Sequence, residues 1–140
     1  MVVSTFVMDK IGKYQVIKKL GEGATSVVWL GHDPFADRDV AIKVVASSVF
    51  SEGEHGKIAR NLFVTEASLA GKLVHPHIVQ IYDAVADADP SYIVMEYVAG
   101  GTLEPYCTPD RLLPMVDLVE MIFKCTRALD FAYRLGVIHR

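Results

Sequence analysis

Alternating apolar and polar positions dominate the first third of the chain. Residues 14–20 alternate as a strand does, and Gly21-Glu22-Gly23 interrupts them. Val27-Val28-Trp29-Leu30 resumes as a β-branched and aromatic run that stops at the turn signal Asp33-Pro34. Residues 40–45 make a third strand, so this stretch predicts an antiparallel meander with a glycine-rich hairpin between its first two strands. From about residue 55 to 73 the period changes, and Ile58, Leu62, Leu69 and Leu73 fall on one helical face before Pro76 closes the segment. Two more strands follow, 78–85 and 92–98, separated by the polar loop 86–90. Gly100-Gly101 breaks the chain, and a short helix is expected around 102–106. The last helix begins at Pro114, where a missing N–H costs nothing in the first turn. It carries Met115, Leu118, Ile122, Cys125, Leu129 and Ala132 as an apolar stripe and stops at Gly136, after which Val137-Ile138 begins a strand. Five strands around one helix, then a hinge and a second helix, predict an α+β fold.

Composition narrows the classes. Hydrophobic residues at 51% and charged residues at 22% are globular values, and 140 residues suffice for one core. A net charge of −3 gives no electrostatic reason to expect a nucleic-acid partner. Cys107 and Cys125 are too few for a disulfide scaffold and lack metal-type spacing, so a reducing cytoplasm is the simplest setting. Met1 to Met8 has no basic n-region, and Asp9-Lys10 interrupts it before an apolar stretch forms, so no secretion signal is expected. No apolar run reaches the roughly 18 residues of a membrane span.

The glycine hairpin is the first candidate for chemistry. A lone G-x-G also serves as a plain tight turn. A dinucleotide fingerprint or a phosphate-binding P-loop needs a helix directly after the glycines. Here a β-branched strand follows and no Gly-Lys-Ser/Thr is present, so both of those fail. A strand–glycine loop–strand fits a flap whose backbone N–H groups lie over a triphosphate, since glycine removes the obstructing Cβ. Leu20 before the loop and Val28 after it would then roof a flat base.

Val40-Ala41-Ile42-Lys43 puts Ala41 and Lys43 on one strand face and Val40 and Ile42 on the other. Ala41 leaves room for a ring. Lys43 would project a charge from that face, or simply snorkel with its stem on apolar surface. Glu66 lies on the flank of the helical stripe, where partial burial calls for a cation. Lys43 is the obvious partner, and a charge-assisted hydrogen bond there would contribute roughly 1.5–3 kcal/mol. A glutamate in that position also has the option of bending out to solvent.

In order, the glycine loop, Val40-Ala41-Ile42-Lys43, Glu66, His75-Pro76-His77-Ile78-Val79, Tyr92-Ile93-Val94-Met95-Glu96-Tyr97-Val98 and Val137-Ile138-His139-Arg140 resemble a eukaryotic-type protein kinase of the bacterial serine/threonine branch. The resemblance runs from about Tyr14 to the last residue. It implies an N-terminal extension over 1–13, an ATP-binding N-lobe and hinge over 14–98, and the start of a C-lobe over 99–140. It implies that Gly21, Gly23 and Ser26 lie over the ATP phosphates and that Leu20, Val28 and Ala41 enclose the adenine. Lys43 would hold the phosphates with Glu66 orienting it, Met95 would stand at the back of the pocket, and the backbone of Glu96 and Val98 would read the adenine edge. His75 and His77 could suggest a metal, but with no third ligand near they are expected to pack a loop.

Ser26 replaces the third glycine of the family pattern, and His77 stands where an asparagine is usual. The family's catalytic aspartate and its Mg²⁺ ligands follow His139-Arg140 and are not among these residues. The implied function is therefore an ATP- and Mg²⁺-dependent protein serine/threonine kinase acting on a protein substrate, with this chain inactive alone. An uncovered last helix is expected to cause self-association. The alternatives are a pseudokinase that binds nucleotide as a scaffold and, from another class, a non-nucleotide interaction module built on the amphipathic helices.

Overall fold

A computed structural model describes residues 9–50 and 53–139. The expected absence of a leader at Met1–Met8 and the role of Arg140 lie outside them. The chain forms β1 (Lys10–Ile11), β2 (Tyr14–Glu22), β3 (Ser26–Asp33), β4 (Arg38–Val45), α1 (Glu54–Gly71), β5 (Ile81–Val85), β6 (Tyr92–Glu96) and α2 (Met115–Arg134). All six strands join one antiparallel sheet in the order β1-β2-β3-β4-β6-β5.

The sheet has one more strand than the pattern predicted. β1 is only two residues long, too short to show alternation, yet its Ile11 belongs to the core with Tyr14, Val40, Ile42, Tyr92 and Val94. Ile11, ahead of residue 14, thus packs into the same core. Gly12, at φ +56, passes so close to the Tyr92 hydroxyl that no side chain would fit. Tyr14 and Tyr92 meet edge to face at 6.4 Å. Burial, with Asp83 and Asp33 adding to it, pushes the Tyr14 phenol up to about 12. Gly31 marks a second close approach: a Cβ there would stand 2.6 Å from Ile42 Cδ1 and 3.1 Å from the Gln15 carbonyl oxygen.

Asp33 closes the turn after β3 by accepting hydrogen bonds from the Phe35 amide at 3.0 Å and the Ala36 amide at 3.2 Å. Lys13 stands 3.5 Å from its other oxygen. Burial pushes the Asp33 carboxyl up, but those amides and Lys13 outweigh it and hold the group below its ordinary value.

Several boundaries shift for local reasons. The strand expected from residue 78 starts at Ile81, because the Ile78 amide folds back onto the His75 carbonyl at 3.1 Å. The next ends at Glu96, and the helix expected near 102–106 is a single 3-10 turn, Glu104–Tyr106. Val137-Ile138 begins no strand. The Val137 amide caps α2 by donating to the Ala132 carbonyl, with Gly136 at φ +79 making the turn.

The face of α1 that packs is not the face the bulky residues mark. Gly56 and Ala67 are buried, and Phe63 meets Phe50 of the 3-10 turn Ser47–Phe50 edge to face at 5.5 Å. Ile58 and Leu62 are each 56% exposed, Leu69 is exposed too, and only Leu73, past the helix end, is buried. Small residues let the helix axis approach β5 closely, so steric fit outranks side-chain hydrophobicity here. Arg60 fastens the same face, its Nη1 donating to the Ala86 carbonyl at 2.7 Å.

Candidate nucleotide site

The glycine turn is closed by the Gly23 amide donating to the Ser26 carbonyl at 2.8 Å. Its far side is tied to the end of β4, where the Ala46 amide donates to the Thr25 carbonyl at 2.9 Å. Beyond the turn, Gly21 pairs with Val28, Val28 with Lys43, and Lys43 with Ile93. The next row pairs Leu30 with Ala41 and Ala41 with Met95. Directly opposed residues share a face, so Val28, Ala41, Lys43 and Met95 line one side of the sheet with the glycine turn at its rim. Ala41 is buried between Leu30 and Met95, and a methyl between two longer side chains leaves a dip in that face. Leu20 is exposed beside a register shift in β2.

Gly21 and Gly23 are not required by the fold. A Cβ at Gly21 would meet nothing within 4 Å, and at Gly23 nothing closer than 3.9 Å. Neither has the positive φ that reserves a position for glycine. The contrast is with Gly12 and Gly31, where the chain itself fills the space. The open space over the turn suits backbone N–H groups approached by a ligand.

At the other end of the face, β6 runs out at Glu96. The Glu96 amide donates to the Gln80 carbonyl at 2.8 Å, and its carboxylate accepts from the Gln80 amide at 3.1 Å. Val98 is 62% exposed, and its amide has no protein acceptor among the described residues.

One expected contact is missing. Lys43 and Glu66 form no ion pair within 4 Å among the described residues, and both are exposed. The reason lies in the packing of α1: its small-residue face rests on β5, which leaves Glu66 at the solvent-facing edge with Ile58, Leu62 and Leu69. In water neither charge needs the other. Nor is the face a closed crevice. Two open grooves lie elsewhere, one of about 330 Å³ between α1 and β5 lined by Val64, Ala67 and Tyr82, the other of about 260 Å³ near Arg60 and Asp89.

His75 and His77 pack as a loop. Their rings lie 5.5 Å apart, the His77 amide donates to His75 Nδ1 at 3.1 Å, and His75 tilts against Phe131 of α2 at 5.1 Å. Among the described residues no group of three His, Cys, Asp or Glu side chains could hold a metal ion. No helix there is long and apolar enough to cross a membrane. No pattern in the residues points to Gln80, whose side chain donates to the Gly71 and Ile81 carbonyls. A lone glutamine in a loop carries no periodic or motif signal.

Residues 14–140 match the protein kinase domain family. The chain is 39% identical over 139 residues to the probable serine/threonine-protein kinase PknB of Lactococcus lactis, covering 95% of this chain and 22% of that protein. It is 36% identical over 129 residues to the serine/threonine-protein kinase PrkC of Bacillus subtilis, covering 92% of this chain and 19% of that protein. Among solved structures, the PknI kinase domain of Mycobacterium tuberculosis superposes with a TM-score of 0.75 at 28% identity, covering 94% of this chain and 52% of that one. The chain thus spans about one fifth of the length of the curated relatives it matches. It belongs to the protein kinase domain family, in the serine/threonine branch represented by these bacterial enzymes.

Proposed function

We propose that residues 14–98 hold ATP, and that the chain serves as the nucleotide-binding half of a cytoplasmic serine/threonine kinase that transfers the γ-phosphoryl group to a protein hydroxyl. The observation that carries this reading is the pair of glycines that the fold itself does not need, set at the rim of the face that holds Val28, Ala41, Lys43 and Met95. In this reading Gly21, Gly23 and Ser26 form the loop that lies over the phosphate oxygens, and Leu20, Val28 and Ala41 enclose the adenine. The Glu96 carbonyl and Val98 amide read its edge. Lys43 binds the α- and β-phosphates, and Glu66 reaches Lys43 only after α1 turns its exposed edge toward β4. Mg²⁺ bound to the phosphates would neutralise their charge. The described residues form no metal site of their own, and the family's base and metal ligands are not among these 140 residues. Phosphoryl transfer therefore requires residues beyond these.

Titration of the chain with the non-hydrolysable analogue AMP-PNP tests the reading. Saturable binding that weakens about tenfold to a hundredfold in Lys43→Met is expected. Equal affinity in both proteins, or no binding to either, refutes it. The separation of Lys43 from Glu66 also suits a second reading, a scaffold that binds nucleotide without transferring phosphate. Phosphoryl transfer by a complete kinase domain, lost in Lys43→Met, would dismiss that alternative.

A further inference from the structure

We propose that Gln80 is a positioning residue that couples adenine binding at the hinge to the orientation of α1; the proposal rests on the nucleotide reading above. Four hydrogen bonds converge on it. Its carbonyl accepts from the Glu96 amide at 2.8 Å, and its amide donates to Glu96 Oε2 at 3.1 Å. Its side-chain Nε2 donates to the Gly71 carbonyl at 3.3 Å and to the Ile81 carbonyl at 3.1 Å. Gly71 is the last residue of α1, so its carbonyl is one of the four that a helix end leaves without an intrahelical partner. Gln80 supplies that partner.

The same residue therefore grips the hinge through its backbone and the helix end through its side chain. Gln80 and Gly71 are half-buried, as is Glu96, which limits competition from water. A ligand that fixes the Glu96 backbone fixes Gln80 with it, and an immobile Gln80 amide holds the last turn of α1. That turn lies a short distance along the helix from Glu66, the residue that must swing toward Lys43. The coupling runs in both directions, because a helix end held in one orientation also pre-sets the hinge.

Hydrogen–deuterium exchange on the 140-residue chain, with and without Mg²⁺ and AMP-PNP, tests this. In the unmodified chain the nucleotide is expected to slow exchange at the hinge and, about fivefold or more, at the amides of residues 69–73. Gln80→Met keeps the length and both backbone bonds but removes the Nε2 donors. It should leave hinge protection in place and abolish the nucleotide-dependent slowing at 69–73. A purely structural cap would instead raise exchange at 69–73 by the same factor with and without nucleotide, and that result overturns the proposal. Glu96→Leu, which removes the carboxylate acceptor, is expected to lose the same coupling, whereas Glu96→Gln, which keeps an acceptor oxygen, should retain it. Absence of hinge protection in the unmodified chain would defeat the nucleotide reading itself and this coupling with it.

Discussion

The sheet and α2 have comparable shares of apolar residues and opposite fates. In β4 and β6, Val40, Ile42 and Val94 are wholly buried, each supported by strands on both sides. In α2 only Ala128 and Ala132 are buried, while Met115, Val119, Ile122, Phe123 and Leu129 face solvent. The sheet completes its core within about ninety residues because β1 to β4 are neighbours in sequence and β6 returns to β4 soon after α1 and β5. The helix has an amphipathic stripe as regular as any in the chain, but no element among the described residues covers it. Periodicity announces a buried face; topology decides whether the burying partner is at hand.

Substitutions can break or sharpen that contrast. The largest expected effect is Ile42→Ala, which should cost about 2–5 kcal/mol in urea unfolding. The matched change Ile122→Ala, at a position 56% exposed, should stay within about 0.5 kcal/mol. Equal losses at the two sites would show that α2 is covered in solution. Gly31→Ala comes next, because its new methyl must displace Ile42 or the Gln15 carbonyl, and a loss of about 1–3 kcal/mol is expected by the same measurement. Third, Val119→Lys with Ile122→Lys should lower the mass-average in sedimentation, since the uncovered stripe is proposed to cause self-association, while the unfolding midpoint hardly moves. A monomer before and after would reject that idea.

The smallest effect concerns acid. Because the folded Asp33 carboxyl lies below its ordinary value, the stability it contributes is complete above the unfolded value of about 3.9 and drains away as pH falls through the folded one. Asp33→Asn should therefore flatten the acid limb of the melting profile below about pH 4 and leave the neutral range to report only the changed turn. An unchanged acid limb would contradict the assignment.

Most of the sheet was legible in the residues because β2 to β6 advertise themselves by alternation or by β-branched runs. β1 was not, since two residues cannot display a period of two, although Ile11 proves to be core. The position of α1 was legible and its rotation was not. Ile58 and Leu62 looked like the packing face, but the buried positions of the helix are the small Gly56 and Ala67. The candidate site divides in the same manner. Lys43, Ala41, Val28 and Met95 share a face that strand alternation foretells. The distance of Glu66 from Lys43 depends on helix rotation, which side-chain hydrophobicity misreports. Gln80 acts through three main-chain carbonyls or amides and one carboxylate, partners that leave no trace in its own neighbourhood of sequence.

The bond from the Ala46 amide to the Thr25 carbonyl has a mechanical corollary for the loop beside it. A ribbon stitched down at one corner pivots instead of lifting off whole. If the loop holds phosphates as proposed, room for a bulky anion would accordingly open at the Glu22–Gly23 end, while the corner tied to β4 would stay in place.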